Sequence, residues 1–143
     1  MQSETITVHA NYEDIRLPSE RLRIMLSNRH VPEEIIDNCE LALHELLTNL
    51  VDHAYQGDGR NMLTVVISWD GVTVRIETRD NGKPADIDFS GVSMPKPDEL
   101  AEGGYGVAII KTLMDKVTYR SEQGVNIWNL IKHTQTKEKK DAS

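Results

Sequence analysis

Asp70-Gly71 sits between two β-rich runs, and a two-residue turn joins strands only as antiparallel neighbours. Parallel partners would need a crossover of about a dozen residues or more. Residues 62–69 and 72–79 are therefore expected to form a hairpin. Val72, Val74 and Ile76 should point one way, and Thr73, Arg75, Glu77 and Arg79 the other, as in a strand with one buried face. Residues 116–120 and 125–132 read as a second hairpin across Gly124.

Helical periods fill much of the remaining chain. Residues 4–9 alternate weakly and read as a short first strand. Pro18 stands where a helix begins, and Leu22, Met25 and Leu26 give residues 18–29 one apolar face. Pro32 opens a longer helix, with Glu33 and Glu34 in the first turn, where the helix dipole favours carboxylates. Ile36, Leu43, Leu47, Leu50 and Ala54 form its stripe, and Gly57-Asp58-Gly59 ends it. Residues 83–102 contain Pro84, Pro95 and Pro97 with little periodicity and read as a long loop. Residues 104–115 read as a third helix. The order β-α-α-β-β-loop-α-β-β predicts an α/β (α+β) two-layer sandwich, with a mixed, mostly antiparallel sheet and helices on one face.

A chain of 143 residues suits one domain, taken as 1–143 with a flexible tail over 134–143. No apolar run approaches the roughly 18 residues of a membrane span, and the start lacks the pattern of a signal peptide. Cys39 is the single cysteine, which excludes an internal disulfide and a cysteine zinc site and favours a reducing cytoplasm. The net charge of −7 argues against broad nucleic-acid binding, which rests on phosphate neutralisation. Lys137 to Lys140, with Glu138 among them, read as a solvated terminus.

Three polar motifs carry the chemistry. Glu45 and Asn49 lie one turn apart on the long helix; Leu41 and His53 continue the row and Asp52 flanks it. The row lies opposite the apolar stripe, so a merely solvated face would look the same. A hard cation such as Mg²⁺ takes few protein ligands, so one Asn oxygen suffices and Glu45 is left as a general base. Asp80-Asn81-Gly82 follows a strand; it is strong turn chemistry, and its Asp can also accept from an exocyclic amine. Gly103-Gly104-Tyr105-Gly106 runs into Val107-Ala108-Ile109-Ile110, whose free N–H groups at a helix start can hold an anion. Lys111-Thr112 lacks the glycine that precedes the lysine of a Walker A loop, and Gly104-Tyr105-Gly106 lacks the third glycine of a dinucleotide fingerprint. Taken together the three motifs read as an ATP site built without a P-loop.

In this order the motifs resemble the boxes of the histidine-kinase-like (GHKL) ATPase superfamily of gyrase, sensor histidine kinases and MutL. Within it the chain most resembles the bacterial anti-sigma-factor serine/threonine kinases. The first box looks like Glu45 through Tyr55, the second Arg79 through Asp86, and the third Glu102 through Ile110 with Leu113-Met114-Asp115. The resemblance runs over residues 5–133 and implies a Bergerat-type ATP-binding fold. It implies that Glu45 accepts the proton of the attacking hydroxyl, that Asn49 binds Mg²⁺ and that His53 contacts the nucleotide. Asp80 would accept from the adenine amine, with Gly82 allowing close approach. Gly104, Tyr105, Gly106 and Val107 would hold the phosphates of ATP or ADP under a lid at about 86–103. The implied partners are a STAS-domain antagonist, which would be phosphorylated, and a sigma factor or other regulatory protein; a homodimer is also implied.

Two functions remain open at this point. One is a protein serine/threonine kinase that doubles as a binding switch. The other is an ATP/ADP-responsive adaptor that sequesters a partner without phosphorylating it. Both need Asn49, Asp80 and the glycines, but only the kinase needs Glu45, so the kinase is favoured. A whole sensor histidine kinase is not expected, since no helix pair with room for a phospho-accepting histidine precedes the site. A small-molecule kinase lacks any sign of a second substrate pocket.

Overall fold

The computed structural model describes residues 1–54, 61–82 and 106–134. The predicted helix end at 57–59, the lid at about 86–103, Gly104, Tyr105 and the tail beyond Thr134 lie outside the described residues. Among the described residues five strands form one sheet: β1 (Gln2–His9), β2 (Met62–Trp69), β3 (Thr73–Asp80), β4 (Lys116–Glu122) and β5 (Val125–His133). Their order across the sheet is β1-β2-β3-β5-β4. Every pair is antiparallel, so the mostly antiparallel sheet expected from sequence has no parallel pair among the described residues.

The first hairpin forms with a shifted loop. Trp69 pairs with Val74, and the Asp70 N–H donates to the Thr73 carbonyl at 3.4 Å, which leaves Gly71 and Val72 as the two loop residues. Gly71 has φ +99° at the first loop position, where a turn of type II′ requires a left-handed residue. Asp70 stands just before the loop because its carboxylate accepts from the N–H groups of Val72 (2.9 Å) and Thr73 (2.7 Å). Val72 consequently lies exposed in the loop, not beside the buried Val74 and Ile76, and Thr73 is buried instead of facing outward. The second hairpin turns at Gln123 and Gly124, with φ of 53° and 81°, as expected for two left-handed loop residues.

Among the described residues three α-helices make the other layer: α1 (Arg16–Asn28), α2 (Glu33–Asn49) and α3 (Gly106–Leu113). Pro18 falls in the first turn of α1, where its missing N–H has no helical partner to lose. Pro32 sits just before α2 with ψ 140° and acts as its entry residue, not as its first helical one. The α2 helix lies between α1 and α3, packing against both. Leu22 and Leu26 of α1, Ile36, Leu43 and Leu47 of α2, and Ile110 of α3 are fully buried against Leu63, Val65, Ile67, Ile76 and Leu130 of the sheet. Ile67, Ile76, Leu130 and Val117 pair in register across four strands, so one row of the inner face is continuous from β2 to β4. Arg23 ties α1 to α2 through Glu40 (2.8 Å), Glu33 (2.6 Å) and Asp37. Thr134 is held to Val72 through its N–H and its hydroxyl, each at 2.8 Å, so the first residue of the predicted tail is anchored.

Candidate functional site

The alternation that buries Val74 and Ile76 also buries Thr78 and Asp80, because residues two apart share one face of a strand. Asp80 is therefore carried to the end of β3 on the helix-covered side, with only 4% of its surface exposed. A carboxylate at that depth needs partners. Its Oδ1 accepts the Gly82 N–H at 3.0 Å and the Asn126 side-chain amide at 2.9 Å. Its Oδ2 is buried and has no hydrogen-bond partner among the described residues. Thr78 Oγ1, two residues earlier on the same row, is buried in the same condition. A buried carboxylate oxygen without a partner among the described residues is an open acceptor.

Asn126 was not among the residues singled out from sequence. It pairs with Asp80 across β3 and β5 and is 1% exposed. Its amide spans the bend of the chain, donating to Asp80 Oδ1 and to the Gly82 carbonyl, each at 2.9 Å. The available signal was the alternation of β5, in which Asn126 shares its face with Trp128 and Leu130 and so places a polar side chain on an inner position. Gly82 is thus joined to Asp80 twice, directly by its N–H and through Asn126 by its carbonyl.

The helix layer carries the second group. Glu45 and Asn49 are half-buried, whereas Leu41 and His44 are exposed. The helical period puts Asn49 beside Ala42 and Leu46, which are 0% and 1% exposed. The Glu45–Asn49 row therefore runs along a flank of α2, partly covered, and is not its fully solvated face. Asn49 is the last α-helical residue, and Leu50–Ala54 continue as a π-helical turn. Such wide turns recur at functional sites because they re-aim the side chains beside them. The Tyr12 hydroxyl donates to Asp52 within that turn and ties it to the segment after β1. The side chain of His53 lies outside the described residues.

Gly106 opens α3, and Val107 packs its side chain against the core. The first N–H groups of α3 have no partner within the helix, so Gly106 and Val107 can offer backbone donors while the Val107 side chain anchors the helix start. Asp80, Gly82 and the first turn of α3 present acceptor, bend and donors. Glu45 and Asn49 carry a carboxylate and a carboxamide one turn apart on α2.

A family model described as the histidine kinase-like ATPase domain matches residues 8–132. Serine-protein kinase RsbW of Listeria monocytogenes serotype 4a is 30% identical over 132 residues, covering 86% of this chain and 82% of that protein. Serine-protein kinase RsbW of Halalkalibacterium halodurans is 34% identical over 96 residues, covering 63% of this chain and 58% of that protein. This chain thus spans between about three-fifths and four-fifths of those relatives' lengths. The crystal structure of the RsbU and RsbW domains of a Mycobacterium tuberculosis protein superposes with a TM-score of 0.67 at 19% identity. It covers 92% of this chain and 32% of the other, and at that identity it shows the fold.

Proposed function

The chain belongs to the histidine kinase-like ATPase family and has serine-protein kinases of the RsbW type among its relatives, and from that premise we propose that it is an ATP-dependent protein serine/threonine kinase. The observation that carries the reading is the buried Asp80 Oδ2, which is without a partner among the described residues. An exocyclic amine of adenine satisfies that oxygen with a charge-assisted hydrogen bond. Gly82, with no side chain, lets the base approach the bend.

Asn49 would hold Mg²⁺ through its side-chain oxygen, the phosphates and waters completing the shell. The metal would supply charge neutralisation on the transferring group. Gly106 and Val107, at the start of α3, would bind the phosphates through backbone N–H groups together with Gly104 and Tyr105. Glu45 accepts the proton of a Ser or Thr hydroxyl as its oxygen bonds to the terminal phosphorus and ADP departs. His53 would contact the nucleotide from the π-helical turn. The proposed protein substrate is a STAS-type antagonist, the proposed sequestered partner a sigma factor or equivalent regulator, and the proposed working form a homodimer in the cytoplasm.

Glu45 separates the kinase from an ATP-responsive adaptor, because only phosphoryl transfer needs its basicity. Glu45→Gln keeps shape and removes the base, and a general base contributes about 10²–10⁴-fold to rate. The test is phosphorylation of a purified partner at matched nucleotide occupancy. Collapse of transfer in Glu45→Gln with nucleotide binding retained supports the kinase. Transfer at the wild-type rate removes Glu45 from the mechanism, and no transfer by the wild type favours the adaptor.

A further inference from the structure

We infer that Asn126, held in place by Tyr119, is a positioning residue that makes Asp80 present one acceptor oxygen and so selects a base bearing an exocyclic amine over one bearing a carbonyl. The inference rests on the proposed nucleotide site and adds to it residues that do not touch the ligand.

The argument is one of donors and acceptors. Asp80 Oδ1 and the Gly82 carbonyl can only accept, and both lie 2.9 Å from the Asn126 amide nitrogen. Both protons of that NH₂ are therefore used, and the amide cannot be turned around without opposing oxygen to oxygen. Its own oxygen faces away and accepts the Tyr119 hydroxyl proton at 2.9 Å. Tyr119 packs on Trp128, ring centroids 4.8 Å apart and planes at 45°, which fixes the phenol. Strand register builds the relay: Tyr119 pairs with Trp128 across β4 and β5, and Asn126 pairs with Asp80 across β5 and β3.

With Oδ1 occupied twice, by the Gly82 N–H and by Asn126, only Oδ2 remains open among the described residues. A base amine donates to it. A base carbonyl at the same point would set lone pair against lone pair in a buried site, and sites of this kind reject the mismatched group strongly. Loss of Asn126 would leave Oδ1 held by the Gly82 N–H alone, loosen the orientation of the carboxylate and release the Gly82 carbonyl.

The experiment measures binding of ATP and of inosine triphosphate, its 6-oxo analogue, by calorimetry to the wild type, Asn126→Ala and Tyr119→Phe, with thermal melting of each. The wild type is expected to prefer ATP. The ATP-to-inosine-triphosphate affinity ratio is expected to fall about tenfold in Asn126→Ala and severalfold in Tyr119→Phe, with the melting midpoint of Tyr119→Phe close to that of the wild type. Equal loss of affinity for both nucleotides, leaving the ratio intact in Tyr119→Phe, overturns the positioning role while leaving the nucleotide site standing. Absence of binding of either nucleotide to the folded wild type overturns the site itself and this inference with it.

Discussion

Tyr12 donates its hydroxyl proton to Asp52, forty residues further along the chain, and so joins the segment leaving β1 to the π-helical turn that follows Asn49. The bond lies at the surface, yet it restrains the π-helical turn in which the chain continues beyond α2. Glu45 and Asn49 precede that place directly, so the end of their row is held from outside the helix as well as by its own core stripe.

Asp80→Asn is expected to weaken ATP and ADP binding by about 1.5–3 kcal/mol, roughly tenfold to a hundredfold, because a buried amine loses its charged acceptor. Calorimetry on the folded variant decides this. Unchanged affinity would take Asp80 out of the base pocket.

Asn49→Ala should separate metal from nucleotide. The loss of affinity for ATP is expected to be large with Mg²⁺ and small in chelator, since only the metal-dependent part uses the Asn oxygen. Equal losses in the two conditions would rule out Asn49 as a ligand.

Asp70 gives an acid response that belongs to the fold alone. The N–H groups of Val72 and Thr73, donated to its carboxylate, hold its pKa below the ordinary value. A depressed carboxylate contributes stability that is present above its unfolded pKa near 4 and is lost as pH falls through the native value. Urea midpoints measured from pH 5 down to pH 2 are expected to fall less steeply for Asp70→Asn than for the wild type. Identical slopes would remove Asp70 from the acid response.

Cys39 should be chemically silent in the folded protein. Burial is the main cause that pushes its thiol up to about 12, with Asp115 adding to the rise and Lys132 opposing it. The reactive species is the thiolate, so iodoacetamide at pH 8 is expected to leave the native protein unmodified and to alkylate it fully in denaturant. Rapid labelling of the native form would mean that α2 opens readily around this position.

The order of elements was legible because it depends on period and turn chemistry, which a single sequence carries. Gly71 shows where that reading stops. Asp70-Gly71 announced a turn, but whether Asp occupies the loop or precedes it is decided by which backbone N–H groups its carboxylate caps, and this moved Val72 from core to surface. Asp80 was legible as a strand-end carboxylate. Its depth was not, because burial of a charge depends on a partner, Asn126, that lies forty-six residues away in sequence. The π-helical turn left no mark in the pattern either, since Leu50 and Val51 suit a regular helix as well as a wide one.

The sheet order places β5 between β3 and β4, so the strand made last among those described is an interior one. During synthesis on the ribosome, β1, β2 and β3 can pair as soon as each emerges, but β3 keeps an open edge until Val125–His133 arrives. Asp80 waits over the same interval without Asn126. A nascent chain therefore has a late closing step that completes the sheet and the carboxylate site together, and a chain stalled before that step displays an unpaired edge of the kind that recruits foreign strands and chaperones.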